Sequence, residues 1–246
     1  MALRFRSLVV IAVPLLMLGG LVLLSRPEKK PPAAESTGPA GLGWIPMDLS
    51  VADALDKIPG WDVRRGNYRI GITEGRHVLE QLPEPVIEGK VLWTRAMRGG
   101  GGVRARMRGG KTRRAFPRFS VGLHEAREFH LRAFPGERKL ELVTCDPDLT
   151  NEKSLAQVPL SEWAWKPEDW TWLELQITQQ SDGGSRCEGR LWKEGQGRPE
   201  KALLLHQLTL APTVLFAALQ GAPYALRSIV IDAAETLPPT EALPEN

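Results

Sequence analysis

The segment Val103-Arg-Ala-Arg-Met-Arg108 alternates strictly between apolar and basic residues. Successive side chains of a β-strand point to opposite faces of the sheet. The three apolar side chains therefore share one face, and Arg104, Arg106 and Arg108 share the other. This pattern predicts a strand with one face in a protein core.

The same two-residue period recurs along the chain. Four further segments alternate: 129–134, 139–143, 172–178 and 187–192. Pro135-Gly136-Glu137-Arg138 predicts a hairpin between the first two, and Asp182-Gly183-Gly184 is a turn signal between the last two. Other strands are predicted at 66–72, 86–94, 116–123, 202–210, 213–219 and 226–231.

Helical periodicity is confined to one short segment, 51–58, with Ser50 as its N-cap. Many short strands separated by turn signals are typical of a sandwich. The sequence therefore predicts an all-β fold, an antiparallel two-sheet β-sandwich of the jelly-roll type.

Composition excludes several classes of protein. The 246 residues are 42% hydrophobic and 25% charged, which excludes wholesale disorder and a collagen-like chain. Two cysteines cannot form a disulfide scaffold, and they are too few for a four-ligand zinc site. Four histidines without ligand spacing leave little for a metal centre. We therefore expect no metal and no cofactor.

The N-terminus predicts export. Arg4 and Arg6 precede an uncharged run of 17 residues between Leu8 and Leu24. This run is at the short limit for a membrane-spanning helix and long for the apolar part of a signal peptide. Residues 1–25 are thus either an uncleaved signal anchor or a cleaved signal peptide. The protein would face the periplasm from the inner membrane in the first case and be secreted in the second.

The remainder divides into a linker, a domain and a tail. Residues 26–43 are rich in proline, alanine, glycine and charge, which predicts a disordered linker. The folded domain is predicted to span 44–234. The acidic, proline-rich residues 235–246 predict a flexible tail.

Several short motifs, taken in order, resemble the concanavalin A-like lectin/glucanase superfamily. They include Gly60-Trp-Asp-Val63, Gly89-Lys-Val-Leu-Trp93, Trp170-Thr-Trp-Leu-Glu-Leu-Gln-Ile177 and Gly221-Ala-Pro-Tyr-Ala-Leu-Arg-Ser-Ile-Val-Ile231. In particular the chain resembles the variants in exported bacterial proteins that are related to 3-keto-disaccharide hydrolase domains or attached to β-propellers. The resemblance covers residues 44–233 and implies a lectin-like sandwich and a carbohydrate ligand.

The chain departs from the superfamily at its catalytic and acidic positions. Retaining glucanases of the superfamily carry an E-x-D-x-x-E pattern, because their two carboxylates must lie about 5–5.5 Å apart. This sequence lacks the pattern, so we expect no catalytic residues. The nearest strings, Asp232-Ala-Ala-Glu235 and Glu125-Ala-Arg-Glu128, are interpreted as surface charge. Leu226-Arg-Ser228 stands where relatives often carry an acid before the last strand.

A basic segment is the most unusual feature of the composition. Residues 89–123 contain ten lysines and arginines and no acid, whereas the whole chain has a net charge of +3. One interpretation is a binding patch for an acidic glycan or another anionic surface ligand. The other is a solvated strand face paired with glutamates. The candidate ligand-binding arginines are Arg104, Arg106, Arg108, Arg113 and Arg114.

The eight tryptophans allow two interpretations as well. Flat indole rings cover the apolar faces of sugars, and they also fill sandwich cores. We expect Trp61, Trp93 and Trp172 in the core. Trp163 and Trp165 lie in a proline-bounded connection and are candidate ligand-binding residues.

The two cysteines, Cys145 and Cys187, are either a disulfide pair, which an oxidising compartment permits, or unrelated thiols. The favoured function is a non-catalytic glycan-binding or adhesion module that is exported and membrane-tethered. The alternatives are a carbohydrate-active enzyme with unrecognised catalytic residues and a structural scaffold. Export argues against a nucleic-acid partner.

Overall fold

The structure is a computed structural model, and it describes residues 43–49, 60–83, 88–111, 115–209, 212–223 and 227–237. These residues form fifteen β-strands and no helix, and all of their ladders are antiparallel. The prediction of an all-β, antiparallel two-sheet sandwich is confirmed. Nothing among these residues is a helix long and apolar enough to cross a bilayer.

Some predictions lie outside the described residues. They are the apolar N-terminal helix between Leu8 and Leu24, the linker up to residue 42, the short helix at 51–58, Arg113 and Arg114, and the tail from residue 238 onward.

The strands have the following bounds in chain order: β1 (Ile45–Pro46), β2 (Trp61–Arg65), β3 (Tyr68–Thr73), β4 (Arg76–Gln81), β5 (Gly89–Arg98), β6 (Gly100–Gly109), β7 (Arg118–His124), β8 (Glu128–Phe134), β9 (Lys139–Cys145), β10 (Lys153–Pro159), β11 (Thr171–Gln179), β12 (Ser185–Lys193), β13 (Leu204–Leu208), β14 (Val214–Ala222) and β15 (Ile229–Leu237). The first sheet has the order β13-β12-β11-β6-β15-β4-β3, with β1 paired to β15. The second sheet has the order β10-β9-β8-β7-β14-β5-β2.

The core lies between the two sheets and follows from the alternation in the sequence. Val103 on β6 and Leu173 on β11 face inward from the first sheet, and both are fully buried. Val121 on β7 and Leu131 on β8 face inward from the second sheet and belong to the same apolar cluster. The remaining positions of these strands point to the two outer faces, where the functional candidates lie.

Four strands and one boundary differ from the sequence prediction. β1, β2, β4 and β10 were not predicted; β1 has only two residues, and the β4 and β10 segments do not alternate cleanly between apolar and polar residues. The last strand continues to Leu237, so that Glu235 and Thr236 belong to the sheet although the domain was predicted to end at 234. The predicted hairpin between β8 and β9 and the turn between β11 and β12 are confirmed.

Candidate functional site

Three of the predicted anion-binding arginines, Arg104, Arg106 and Arg108 on β6, lie on the outer face of the first sheet, where acids neutralise them. Arg104 donates from Nε to Glu235 over 2.8 Å, and Arg106 donates from Nε to Asp232 over 2.7 Å. The side chains of these two arginines are only 6% and 5% exposed. They are therefore paired with acids on the neighbouring β15, as the second interpretation expected, but they are not solvated.

Tryptophan rings cover these arginines. The guanidinium carbon of Arg104 lies 4.3 Å from the ring centroid of Trp44, and that of Arg108 lies 4.6 Å from Trp170. Such cation–π contacts stabilise a desolvated guanidinium. We call this surface the Arg–Trp ladder; it comprises Arg104, Arg106, Arg108, Trp44, Trp170 and Trp172.

Trp172 is the exception to the predicted core tryptophans. Trp61 is in the apolar core, and Trp93 packs against it with its ring centroid 5.0 Å from that of Trp61. Trp172 instead lies on the Arg–Trp ladder and stacks on Trp192, with ring centroids 5.6 Å apart and planes 4° apart. The prediction of a core position was wrong because Trp172 alternates with Leu173, which takes the inward position.

The two acidic strings expected at the surface are also placed differently. Asp232 has a side chain that is only 3% exposed, because it lies against Arg106 and Arg76. Glu128 is fully buried on the outer face of the second sheet. The interpretation as ordinary surface charge is wrong for both residues, since each neutralises a buried cation.

The structure does not bring Trp163 and Trp165 to an exposed platform. Trp163 is 7% exposed and belongs to the core cluster. Trp165 is half-buried against the core, with its ring centroid 6.0 Å from that of Phe116 and 6.3 Å from that of Phe119. Trp165 therefore packs against Phe116.

Cys145 and Cys187 are free thiols, and both are buried. Cys145 ends β9 in the second sheet, and Cys187 lies on β12 in the first. Burial raises the pKa of each thiol to about 12. Both groups are therefore protonated at neutral pH.

The outer face of the second sheet carries a buried polar cluster that the sequence reasoning missed. Lys90 and His124 both contact Oε1 of Glu128, and His130 Nε2 lies 2.7 Å from Glu128 Oε2. Lys90 also donates to the carbonyl of Pro147 over 2.8 Å. We call Lys90, His124, Glu128 and His130 the Glu128 cluster.

The contact between Lys90 and Glu128 shows that this face is concave. Lys90 is in register with Gln220, Ser120 and Arg132 on the three following strands, and Glu128 lies four residues from Arg132. In a flat sheet the backbones of Lys90 and Glu128 would be about 20 Å apart, because they are separated by three strand spacings across the sheet and four residues along it. Two side chains cannot bridge that distance, so the face must curve around the cluster.

The cluster shifts the pKa values of its members. Burial opposes the charged form of Glu128, but hydrogen bonds from His124, His130 and Lys90 outweigh it and hold the pKa of Glu128 far below its usual range. Burial lowers the pKa of His130 from 6.5 despite its contact with Glu128. Glu128 is therefore a carboxylate and His130 a neutral imidazole at pH 7.

Next to the cluster runs a row of buried polar side chains with unused hydrogen-bonding atoms. Ser120, Arg132 and Gln220 are directly paired neighbours on β7, β8 and β14, and we call them the polar row. Ser120 Oγ, Arg132 Nη2 and both amide atoms of Gln220 have no hydrogen-bond partner within the described part of the chain. Buried polar atoms are nearly always hydrogen-bonded, so this row is suited to bridging by ordered water.

A cavity of about 470 Å³ adjoins the polar row, and we call it the Phe116 cavity. Arg118 and Phe134 line it, and they lie two residues from Ser120 and Arg132 on the same face. The guanidinium carbon of Arg118 is 5.1 Å from the ring centroid of Phe134. The cavity is lined by Ala115, Phe116, Pro117, Arg118, Phe134, Gly136 and Glu137.

Part of this site was visible in the sequence. Glu128, His130 and Arg132 alternate with Phe129 and Leu131, so their position on one face could have been predicted. Their neighbours could not, because Lys90 precedes Glu128 by 38 residues and reaches it only through the strand order of the sheet.

The sequence matches no protein-family model and no curated protein. Solved structures share its fold. A lectin from Bauhinia forficata in complex with GalNAc has a TM-score of 0.51 at 6% identity, over 79% of this chain and 98% of that chain. The CBM2 module of the evolved Dit of Lactobacillus casei BL23 phage J-1 has a TM-score of 0.50 at 11% identity, over 82% and 100%.

The VIP36 exoplasmic/lumenal domain in its Ca²⁺/Man2-bound form is similar too, with a TM-score of 0.50 at 12% identity, over 83% of this chain and 92% of that chain. At these identities the likeness shows the fold alone. The domain therefore has the concanavalin A-like lectin/glucanase fold, as the resemblance implied.

Proposed function

We propose that this domain is a non-catalytic glycan-binding module whose ligand enters the Phe116 cavity. The cavity of about 470 Å³ carries the proposal, because it combines aromatic walls with polar groups at the edge of the polar row. Its volume lies within the range of small-molecule sites, about 300–1,000 Å³. The lectin in complex with GalNAc, which shares the fold, supports a sugar as the ligand class.

The lining of the Phe116 cavity suits a sugar ring. The rings of Phe116 and Phe134 offer apolar surface to the C–H groups of a pyranose. Arg118 and Glu137 supply hydrogen-bond donors and acceptors at its margin. Lys139 Nζ lies 4.5 Å from the ring centroid of Phe134 and 3.0 Å from Glu137, so that it contacts two of the residues that line the cavity.

A glycan array that includes neutral, acidic and sulfated glycans tests the proposal. Phe134→Ala should weaken binding of the selected glycan at least about tenfold, or 1.4 kcal/mol, in calorimetric titrations. Ile72→Ala is the matched control, because Ile72 is 71% exposed on an edge strand of the other sheet. Absence of any glycan ligand, or equal affinity of both variants, would contradict the proposal.

One further variant and the fate of the bound glycan separate the remaining alternatives. The Arg–Trp ladder would be the site if Arg108→Gln abolished binding and Phe134→Ala did not. Release of smaller sugars from the bound glycan would indicate the enzyme, and no binding at all would favour the scaffold.

We further propose that the module is exported and held at a membrane by the apolar run between Leu8 and Leu24. The length and charge pattern of that run support this, since two arginines precede 17 uncharged residues. Fractionation with protease accessibility tests it. A protease-accessible domain in the membrane fraction of spheroplasts is expected, and a cytosolic, protected domain would contradict it.

A further inference from the structure

We propose that Glu128, His130 and Cys145, joined by His124, form a binding site for a zinc-class transition-metal ion. A carboxylate oxygen of Glu128, a ring nitrogen of His130 and the sulfur of Cys145 all lie within 4.8 Å of one another. All three residues are buried. The site is distinct from the Phe116 cavity and independent of the glycan proposal.

The ladder register explains why these side chains converge. Cys145 on β9 is directly opposite Glu128 on β8, and His124 on β7 is directly opposite Glu128 on its other side. His130 follows on the same face, two residues further along β8. Three mutually close donor atoms thus come from two adjacent strands, and His124 contacts Glu128 from a third strand, although their spacing in the sequence shows no metal motif.

The chemistry of the donor set selects the class of metal. Thiolate, imidazole and carboxylate together are ligands of Zn²⁺, which takes four of them in a tetrahedron. Ca²⁺ and Mg²⁺ require oxygen ligands, and Glu128 supplies the only carboxylate of the set. When the metal–sulfur bond forms, the Cys145 proton passes to the buffer.

Lys90 competes for the same position. Its ammonium contacts the Glu128 oxygen that also contacts His124. A metal ion would displace this ammonium from Glu128, and the lysine would keep its hydrogen bond to the carbonyl of Pro147. Replacing the lysine by an uncharged side chain of similar length should therefore strengthen metal binding.

The experiment titrates the tag-free full chain in detergent, stripped of metal with a chelator, with Co²⁺ and then with Zn²⁺. Co²⁺ should produce a thiolate-to-cobalt charge-transfer band, which Zn²⁺ then removes. Cys145→Ser should abolish this band, whereas Cys187→Ser should retain it. Cys187 is the matched control, because it is equally buried but lies in the other sheet.

Affinity provides the second readout, measured by competition with a chromogenic chelator. His130→Gln should weaken Zn²⁺ binding more than about tenfold, since even outer-shell partners of a metal typically contribute 10–100-fold. Lys90→Met should tighten it. Circular dichroism confirms that each variant is folded. Absence of the band from both the natural protein and Lys90→Met, or its persistence in Cys145→Ser, would overturn the proposal.

Discussion

Arg106 has two acidic partners, although its own side chain is only 5% exposed. Burial alone would lower the pKa of the Arg106 guanidinium group. Its contacts with Asp232 and Glu194 outweigh burial and raise the pKa above its usual value. Removing one member of a buried pair leaves the other charge desolvated and unpaired. The stability of this face therefore depends on keeping the pairs complete.

Asp232→Asn should lower the free energy of unfolding by about 3 kcal/mol, the lower end of the cost of breaking a buried pair. The control is Asp62→Asn, which breaks an exposed ion pair with Arg64. The Asp62 side chain is 38% exposed and that of Arg64 is 56% exposed. That change should cost less than about 1 kcal/mol. Urea unfolding of the two variants measures both losses of stability. Equal losses would show that burial of the Arg106–Asp232 pair does not increase its contribution.

Glu125 should make stability depend on pH. Burial opposes its charged form, but hydrogen bonds from the hydroxyl and N–H of Thr213 and from the N–H of Val214 lower its pKa below 4.5. Because the folded-state pKa is depressed, the unfolded state binds the proton first. The stabilisation is complete above the unfolded value and is lost as the pH falls through the folded one.

Glu125→Gln removes this titration. The natural protein should therefore be more stable than the variant at pH 7, and the gap should narrow as the pH falls from 5 towards the folded-state pKa. Urea midpoints of both proteins across that range provide the measurement. A gap that stays constant with pH would refute the role of the carboxylate.

At the scale of elements, β7 and β8 depend on close packing over Gly122. A Cβ atom at this position would lie 2.8 Å from Cε1 of His130 and 3.2 Å from the carbonyl oxygen of Phe129. The His130 ring therefore occupies the space that any larger residue would need. Because Gly122 has no side chain, the His130 ring fits beside it and contacts Glu128.

Gly122→Ala should accordingly destabilise the domain by about 1–3 kcal/mol, the usual cost of overpacking. Gly197→Ala is the control, since a Cβ there meets nothing within 4 Å, and its effect should stay below about 1 kcal/mol. Denaturant unfolding compares the two variants. If Gly122→Ala left the free energy of unfolding unchanged, His130 would have room to move aside.

The elements also show how far the sequence could be interpreted. β6, β11 and the β8–β9 hairpin were predictable, because each has apolar side chains on its inner face and polar ones on its outer face and therefore alternates. β10 was not, since its register shifts at a bulge between Ser154 and Ala156. The sites depend on strand order and curvature, which bring Lys90 to Glu128, and neither property leaves a local pattern.

At the scale of the whole molecule, the last strand connects elements from distant parts of the chain. β15 lies between β6 and β4 and also pairs with β1. A chain that ends after residue 228 lacks this strand and should not fold. A chain that ends after residue 238 keeps it and should melt at the temperature of the full protein. Thermal unfolding followed by near-ultraviolet circular dichroism distinguishes the two, and a cooperative transition in the shorter chain would contradict this.

The position of β15 also determines when the domain can complete its folding during synthesis. Translation proceeds from the N-terminus, so β6 leaves the ribosome long before its partner β15 exists. Until residue 237 has emerged, Arg104 and Arg106 have neither Glu235 nor Asp232 beside them. The sandwich can therefore close only late, and until then the nascent chain needs protection from aggregation. A polypeptide that stays open this long can still be threaded through a secretion channel, which suits the proposed export.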